Sequence, residues 1–152
     1  MTRIITIANQ KGGVGKTTTT VNIAAAMAQA GKTVLVIDLD PQGNATTALG
    51  IDHPEGTPGI YDVLMGETVL AEVITPCPDV PQLFGIPATI DIAGAEVELV
   101  STPNREHRLR EEIEQLLHTT HFDYIFLDCP RSLGLLTLNG LVAAREVLLP
   151  IQ

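Results

Sequence analysis

The stretch Asn9-Gln10-Lys11-Gly12-Gly13-Val14-Gly15-Lys16-Thr17-Thr18 narrows the possible folds more than any other part of the chain. It follows an apolar, β-branched run, Ile4-Ile5-Thr6-Ile7-Ala8, and precedes a helical pattern from Lys16 to Ala30. Strand, glycine-rich loop and helix in that order are the setting in which a phosphate-binding loop works. Gly12, Gly13 and Gly15 let the backbone come close to a ligand. Their N–H groups can turn inward around phosphate oxygens. The first turn of the helix adds free donors and the positive end of its dipole. Lys16 supplies a charge for β- and γ-phosphates, and Thr17 a hydroxyl for Mg²⁺. A plain glycine turn with solvated lysines would not need a strand and a helix that agree with it on either side.

The helix carries an alanine-rich face, Ala24-Ala25-Ala26-Met27-Ala28, and stops at Gly31. Thr33-Val34-Leu35-Val36-Ile37-Asp38 is nearly continuous in apolar residues, which predicts a strand buried on both faces. Strand, helix and strand with short joints make a βαβ unit and hence a parallel sheet. The segment Asp38-Leu39-Asp40-Pro41-Gln42-Gly43-Asn44-Ala45-Thr46 brings two carboxylates to a strand's C-terminal end, where open parallel sheets place their ligands. By itself it reads equally as a polar loop with an aspartate turn; the glycine-rich loop upstream favours the ligand edge.

Between Ile51 and Pro87 the pattern is thin. A short helix is expected over Gly59–Met65, ending at Gly66, then a proline-rich surface loop over Thr75–Pro81 and a strand over Gln82–Ile86. Ile90–Val100 reads as helix in part. Thr102-Pro103 is expected to open a helix, as a cap residue followed by proline. Leu109, Ile113, Leu116 and Leu117 form its buried stripe. Arg108 with Glu112 and Arg110 with Glu114 are expected to pair on its solvated face. Tyr124-Ile125-Phe126-Leu127-Asp128 is four hydrophobes ending in an aspartate, a strand that carries a carboxylate to the sheet edge near Mg²⁺. Leu135–Ala144 then reads as helix and Glu146–Ile151 as another buried strand.

Composition limits the functions open to this fold. The net charge is −9, with 9 Lys and Arg against 18 Asp and Glu. That makes the chain a poor default DNA binder, because neutralising phosphates needs a basic surface. No apolar run reaches the roughly 18 residues that span a bilayer, so no membrane contact is expected. Met1-Thr2-Arg3 enters a strand with no secretory segment, which predicts a cytoplasmic location. Cys77 and Cys129 stand outside any C-x-x-C pair and read as reduced thiols. His118 and His121 read as exposed polar residues at a helix end rather than as a metal pair.

The glycine-rich loop departs from G-x-x-x-x-G-K-[ST], because Gln10 stands where the first glycine belongs, and Lys11 is a second lysine. It resembles the deviant Walker A motif, K-G-G-x-G-K-[ST], of the ParA/MinD group of ATPases. Asp38–Thr46, Pro87-Ala88-Thr89, and Asp128-Cys129-Pro130 with Ser132-Leu133-Gly134 extend the likeness to ParA/Soj-type partitioning ATPases. The Pro41-Gln42-Gly43-Asn44 continuation separates the chain from MinD, a membrane-positioning relative that also needs an amphipathic C-terminal helix. The absence of cluster cysteines separates it from the nitrogenase iron protein. Arg131 departs from the family, where a second proline is usual.

The resemblance implies an α/β fold: one P-loop NTPase-like domain over residues 1–152, a mostly parallel sheet flanked by helices, truncated on its C-terminal side. It implies a Mg²⁺-dependent ATPase of chromosome or plasmid partitioning, with ATP and Mg²⁺ as cofactors. Lys11, Gly12, Gly13, Val14, Gly15, Lys16, Thr17 and Thr18 would bind the nucleotide. Lys16 would hold the β- and γ-phosphates, and Lys11 would reach the partner's nucleotide across an ATP-sandwich homodimer. Asp40 would lie in the first switch and position the attacking water. Thr17, Asp40 and Asp128 would serve the metal. The implied partners are a second copy in the ATP state, a ParB-like protein, and non-specific DNA through a surface beyond Gln152, with nucleoid association as a consequence. A remnant that binds ATP without turnover is the other expectation consistent with the motifs.

Overall fold

The computed structural model describes residues 1–8 and 15–149. Its strands are β1 (Arg3–Ile7), β2 (Val34–Asp38), β3 (Thr75–Pro76), β4 (Leu83–Ile86), β5 (Tyr124–Asp128) and β6 (Glu146–Leu148). They form one sheet in the order β3-β4-β2-β5-β1-β6. The described pairs are parallel except β3 with β4. The helices are α1 (Lys16–Gln29), α2 (Asn44–Ala48), α3 (Ile60–Leu64), α4 (Leu70–Val73), α5 (Ile92–Glu98), α6 (Arg108–Leu117) and α7 (Leu135–Ala143). The expected mostly parallel sheet flanked by helices is the fold observed. No helix among the described residues is long and apolar enough to cross a membrane.

Strand alternation sorts the core into two halves. Leu35, Ile37, Ile125 and Leu127 join one cluster with residues of α3 to α7, while Val34, Val36 and Phe126 join the other with Ala24, Ala28 and Ala45 of α1 and α2. Helices therefore cover both faces, and β2 is buried along its whole length, as its unbroken apolar run requires. Inserted between β1 and β2, β5 brings the carboxyl ends of three strands side by side. On α1 the buried residues are Lys16, Thr20, Ala24 and Ala28, one face at a spacing of four. Small side chains let the far end of α1 settle on the sheet, while its polar end stands over the strand ends.

Several local expectations give way to tertiary contacts. The helix expected from Thr102 begins at Arg108. Pro103 restricts the residue before it, and Thr102 is extended, with φ −89° and ψ 132°. A 3₁₀ turn over Arg105–His107 follows. Buried Asn139 of α7 then fixes the start of α6: its Oδ1 accepts the Leu109 N–H at 3.1 Å and its Nδ2 donates to the Arg105 carbonyl at 2.8 Å. Leu109, Ile113 and Leu116 are buried as expected, and Leu117 is half-buried. Arg110 pairs with Glu114 at 3.1 Å. Arg108 instead points its guanidinium toward the Val63 carbonyl, 3.5 Å away, so its pairing with Glu112 does not form.

The Glu146–Ile151 expectation is also corrected. β6 covers Glu146–Leu148 at the sheet edge beside β1 and is partly exposed, with Val147 half open to solvent. Its other flank has no strand among the described residues, and residues 150–152 lie outside them. The Asp38–Thr46 segment is not all loop, since its last residues, from Asn44, begin α2. Thr75 and Pro76, expected in a surface loop, pair with β4 as an antiparallel edge. Proline suits that edge because it has no N–H to leave unpaired.

Candidate active site

Two carboxylates meet where β2 and β5 end, because the parallel register sets Asp38 opposite Asp128. The β5 chain is locked on both sides at this level. The Leu39 N–H donates to the Asp128 carbonyl at 2.9 Å, and the Cys129 N–H to the Ile7 carbonyl at 3.1 Å. The first turn of α1 lies against this edge. Gly15 precedes it in the left-handed region at φ 77°, a conformation that favours glycine.

The Lys16 ammonium forms an ion pair with Asp128 Oδ1. Lys16 is 8% exposed and Asp128 0%. Such a pair persists in the interior only because each charge compensates the other's lost hydration. Thr17 Oγ1 lies 3.4 Å from Asp128 Oδ2. Thr20 Oγ1 donates to the Lys16 carbonyl at 2.8 Å and lies 3.5 Å from Asp128 Oδ1. Burial raises the Asp128 carboxyl above its ordinary value, and the Lys16 charge and hydrogen bond oppose that rise.

Asp38 is buried differently. Its Oδ1 accepts the Asp40 N–H at 3.0 Å, and its Oδ2 accepts the Thr46 N–H at 2.9 Å and the Thr46 hydroxyl at 2.6 Å. Burial first, and the Asp128 charge second, push it up to about 7, while the Thr46 and Asp40 hydrogen bonds pull it back. Neighbouring carboxylates resist ionising together, so Asp128, facing Lys16, keeps the charge more readily. Asp40 is half-buried beyond the strand end, with Oδ1 accepting the Gln42 N–H at 3.0 Å. It makes no hydrogen bond to Asp128 among those described, yet its charge helps raise the Asp128 carboxyl. Gly43 closes this turn at φ 64°, a conformation that favours glycine, and a Cβ there would also press on the Ala88 carbonyl oxygen at 3.0 Å.

The structure thus gathers Lys16, Thr17 and Asp128 and leaves Asp40 one turn away. Thr18 is exposed on α1 and makes no described hydrogen bond to the carboxylates. Lys11, Gly12, Gly13 and Val14 lie outside the described residues. Sequence reasoning placed Asp38 at the ligand edge but gave it no role, and did not single out Thr20 or Thr46. The position of Asp38 at the end of a fully apolar strand, and the spacing of Thr20 four residues after Lys16, were the available signals. Among the described residues no three His, Cys, Asp or Glu side chains group as a metal cage. The Thr17 hydroxyl and the Asp128 carboxylate nonetheless suit Mg²⁺. That ion takes few protein oxygens and keeps waters or substrate phosphates for the rest of its shell.

Comparison with known proteins agrees with the motifs. Over 152 residues the chain is 50% identical to the sporulation initiation inhibitor protein Soj of Bacillus subtilis, covering 100% of this chain and 59% of that protein. It is 51% identical over 150 residues to the chromosome partitioning protein ParA of Myxococcus xanthus, covering 99% of this chain and 52% of that one. The chain therefore spans little more than half the length of these curated relatives. Among solved structures, it superposes with a TM-score of 0.92 and 44% identity on a Mycobacterium smegmatis protein described as cobyrinic acid a,c-diamide synthase with bound ADP and magnesium. That match covers 100% of this chain and 60% of the other. The likeness to ParA/Soj-type proteins read from the motifs extends over the whole chain. A family model described as an AAA domain matches residues 2–152, and the chain belongs to that family, AAA_31.

Proposed function

We propose that residues 1–152 are one ParA-like ATPase domain, part of a partitioning protein that binds Mg-ATP at the carboxyl edge of β1, β5 and β2. The observation that carries this reading is the buried pairing of Lys16 with Asp128, flanked by Thr17. It sets a cation and two hard oxygen ligands at one strand edge beside a helix N-terminus, the combination that phosphoryl transfer uses for positioning and neutralisation. The relatives' identities and the ADP and magnesium bound in the M. smegmatis structure support it.

In this reading Lys16 would exchange Asp128 for the β- and γ-phosphates, and the Asp128 carboxylate and Thr17 hydroxyl would hold Mg²⁺, which when bound would supply positive charge against the phosphate oxygens. Asp40 orients the attacking water from the loop after β2. The glycine-rich loop and Thr18 complete the cradle. Lys11 reaches the nucleotide of a second copy, so that ATP binding drives dimerisation. A ParB-like protein then stimulates turnover, and the dimer engages DNA at the nucleoid.

A fluorescent ATP analogue titrated in Mg²⁺ tests the core of the reading. Binding should saturate in the unmodified protein and vanish in Lys16→Ala; undiminished affinity in that variant refutes the site. Lys11→Ala should keep nucleotide binding and lose ATP-dependent dimers in sedimentation. Unchanged dimers would refute the role across the interface.

A further inference from the structure

The loop from Cys129 to Gly134 joins Asp128 to α7, and one side chain from elsewhere in the chain grips its far end. Glu96 of α5 accepts the Leu135 N–H on Oε2 at 2.7 Å and the Leu136 N–H on Oε1 at 3.1 Å. These are unpaired donors of the first turn of α7, and a carboxylate there is also favoured by the helix dipole. The fit is close. A Cβ on Gly134 would stand 2.2 Å from Glu96 Oε2 and 2.6 Å from Oε1, so any other residue at 134 would expel the carboxylate. The Thr137 hydroxyl folds back over the same loop, donating to the Ser132 carbonyl at 2.6 Å.

The other end of the segment bearing Glu96 meets the second carboxylate loop. The Ala88 N–H donates to Thr46 Oγ1 at 3.1 Å, and that same hydroxyl donates to Asp38. Between these ends Ile92 and Ala95 of α5 are fully buried in the core. Ala88, in the loop before α5, therefore touches Thr46 of α2 and through it Asp38 at the end of β2, while Glu96 of α5 touches the first turn of α7.

We propose that Glu96 is a positioning residue for phosphoryl transfer, holding the end of the Cys129–Gly134 loop in fixed relation to Thr46 and Asp38 through α5 and the loop before it. The proposal rests on the nucleotide reading above and adds a residue to it. Lys16 and Thr17 sit on α1 and make no described hydrogen bond to α7, so the clamp is expected to act on the rate of turnover more than on nucleotide affinity.

The test combines amide hydrogen exchange with steady-state ATP turnover on the unmodified protein, Glu96→Ala, Glu96→Gln, Gly134→Ala and the Glu96→Ala/Gly134→Ala double variant. Glu96→Ala should speed exchange at Leu135 and Leu136 and leave the amides of β2 and β5 protected. It should lower kcat by about tenfold or more, the scale on which misplaced reacting groups lose rate. The Kd for ATP should stay within about twofold of the unmodified value, as expected when binding shared by ground and transition states is untouched. Glu96→Gln keeps one carbonyl oxygen and should fall between. Gly134→Ala should match Glu96→Ala, and the double variant should be no worse than either, because both break one interaction. Faster exchange with unchanged turnover overturns the proposal, as do additive losses in the double variant or a Kd that weakens in step with kcat. If Glu96→Ala does not fold, Glu96→Gln carries the same comparison. If the unmodified protein does not bind ATP, the function proposed above fails, and exchange at Leu135 and Leu136 alone decides whether the clamp exists.

Discussion

Lys16→Ala removes the cation paired with a carboxylate that solvent does not reach. Asp128 then has two weak neighbours, the Thr17 and Thr20 hydroxyls at 3.4 and 3.5 Å. An unpaired buried carboxylate takes up a proton instead of remaining charged. The cost is then capped by the work of protonating an ordinary carboxyl at the assay pH, about 4 kcal/mol at pH 7 for an unfolded value near 3.9. Burial already holds Asp128 above its ordinary value in the unmodified protein, so part of that cost is present beforehand. The expected loss is therefore about 2–3 kcal/mol at pH 7, below the about 3–5 kcal/mol of a fully uncompensated break. The sign follows from the protons bound. The folded variant keeps a proton that its unfolded chain releases, so the penalty grows as pH rises above the unfolded value and shrinks as pH falls toward it. At about pH 5 it should be about 1 kcal/mol or less. Urea denaturation with EDTA at the two pH values measures this, and adding Asp128→Asn to Lys16→Ala should recover most of the loss. An unchanged midpoint for Lys16→Ala at pH 7, or a penalty that does not shrink on acidification, would refute the buried pair.

Asp38, pushed up to about 7, keeps its proton in the folded state after the unfolded chain has lost it, so folded stability should fall as pH rises between about 4 and 7 without Mg²⁺ and level off above. Asp38→Asn should flatten that fall in a pH series of denaturation curves; an unaltered slope would assign it to other groups. Cys129 is fully buried and burial pushes its thiol up to about 12, whereas Cys77 is half-buried, its thiol donating to the Leu49 carbonyl at 3.1 Å. A disulfide thiol reagent should therefore modify one cysteine in the folded protein and the second only on unfolding, as peptide mapping would show. This chain should bind duplex DNA negligibly at ~0.15 M salt. Its net charge is −9, and Arg3 and Arg110 are already engaged by Glu146 and Glu114. Micromolar affinity with a steep salt slope in an anisotropy titration would place a DNA surface within these residues.

Much of the architecture is local information. An apolar run such as Val34–Ile37 can only be a strand covered on both faces, and β1, α1 and β2 follow from the change of period along the chain. The motif order likewise names Lys16, Thr17 and Asp128, because a phosphate loop and a strand-terminal aspartate require those residue types at those places. Tertiary structure alone decided that β5 lies between β1 and β2, since strand order is set by how helices cover the two faces and not by any one segment. That insertion puts Asp38 in register with Asp128 and turns a strand-end carboxylate given no role of its own into a buried one pushed up to about 7. The start of α6 was misread for the same kind of reason: Thr102 and Pro103 carry a local start signal, but Asn139, thirty residues after Leu109, supplies the hydrogen bond that fixes the first turn. Glu96 was invisible for want of a local partner, since its carboxylate gains a role only where the fold delivers the first turn of α7 to it across a gap of about forty residues. Periodicity and motif chemistry are written in neighbouring residues; the pairing of buried polar groups depends on distant ones, and only the packed chain brings those together.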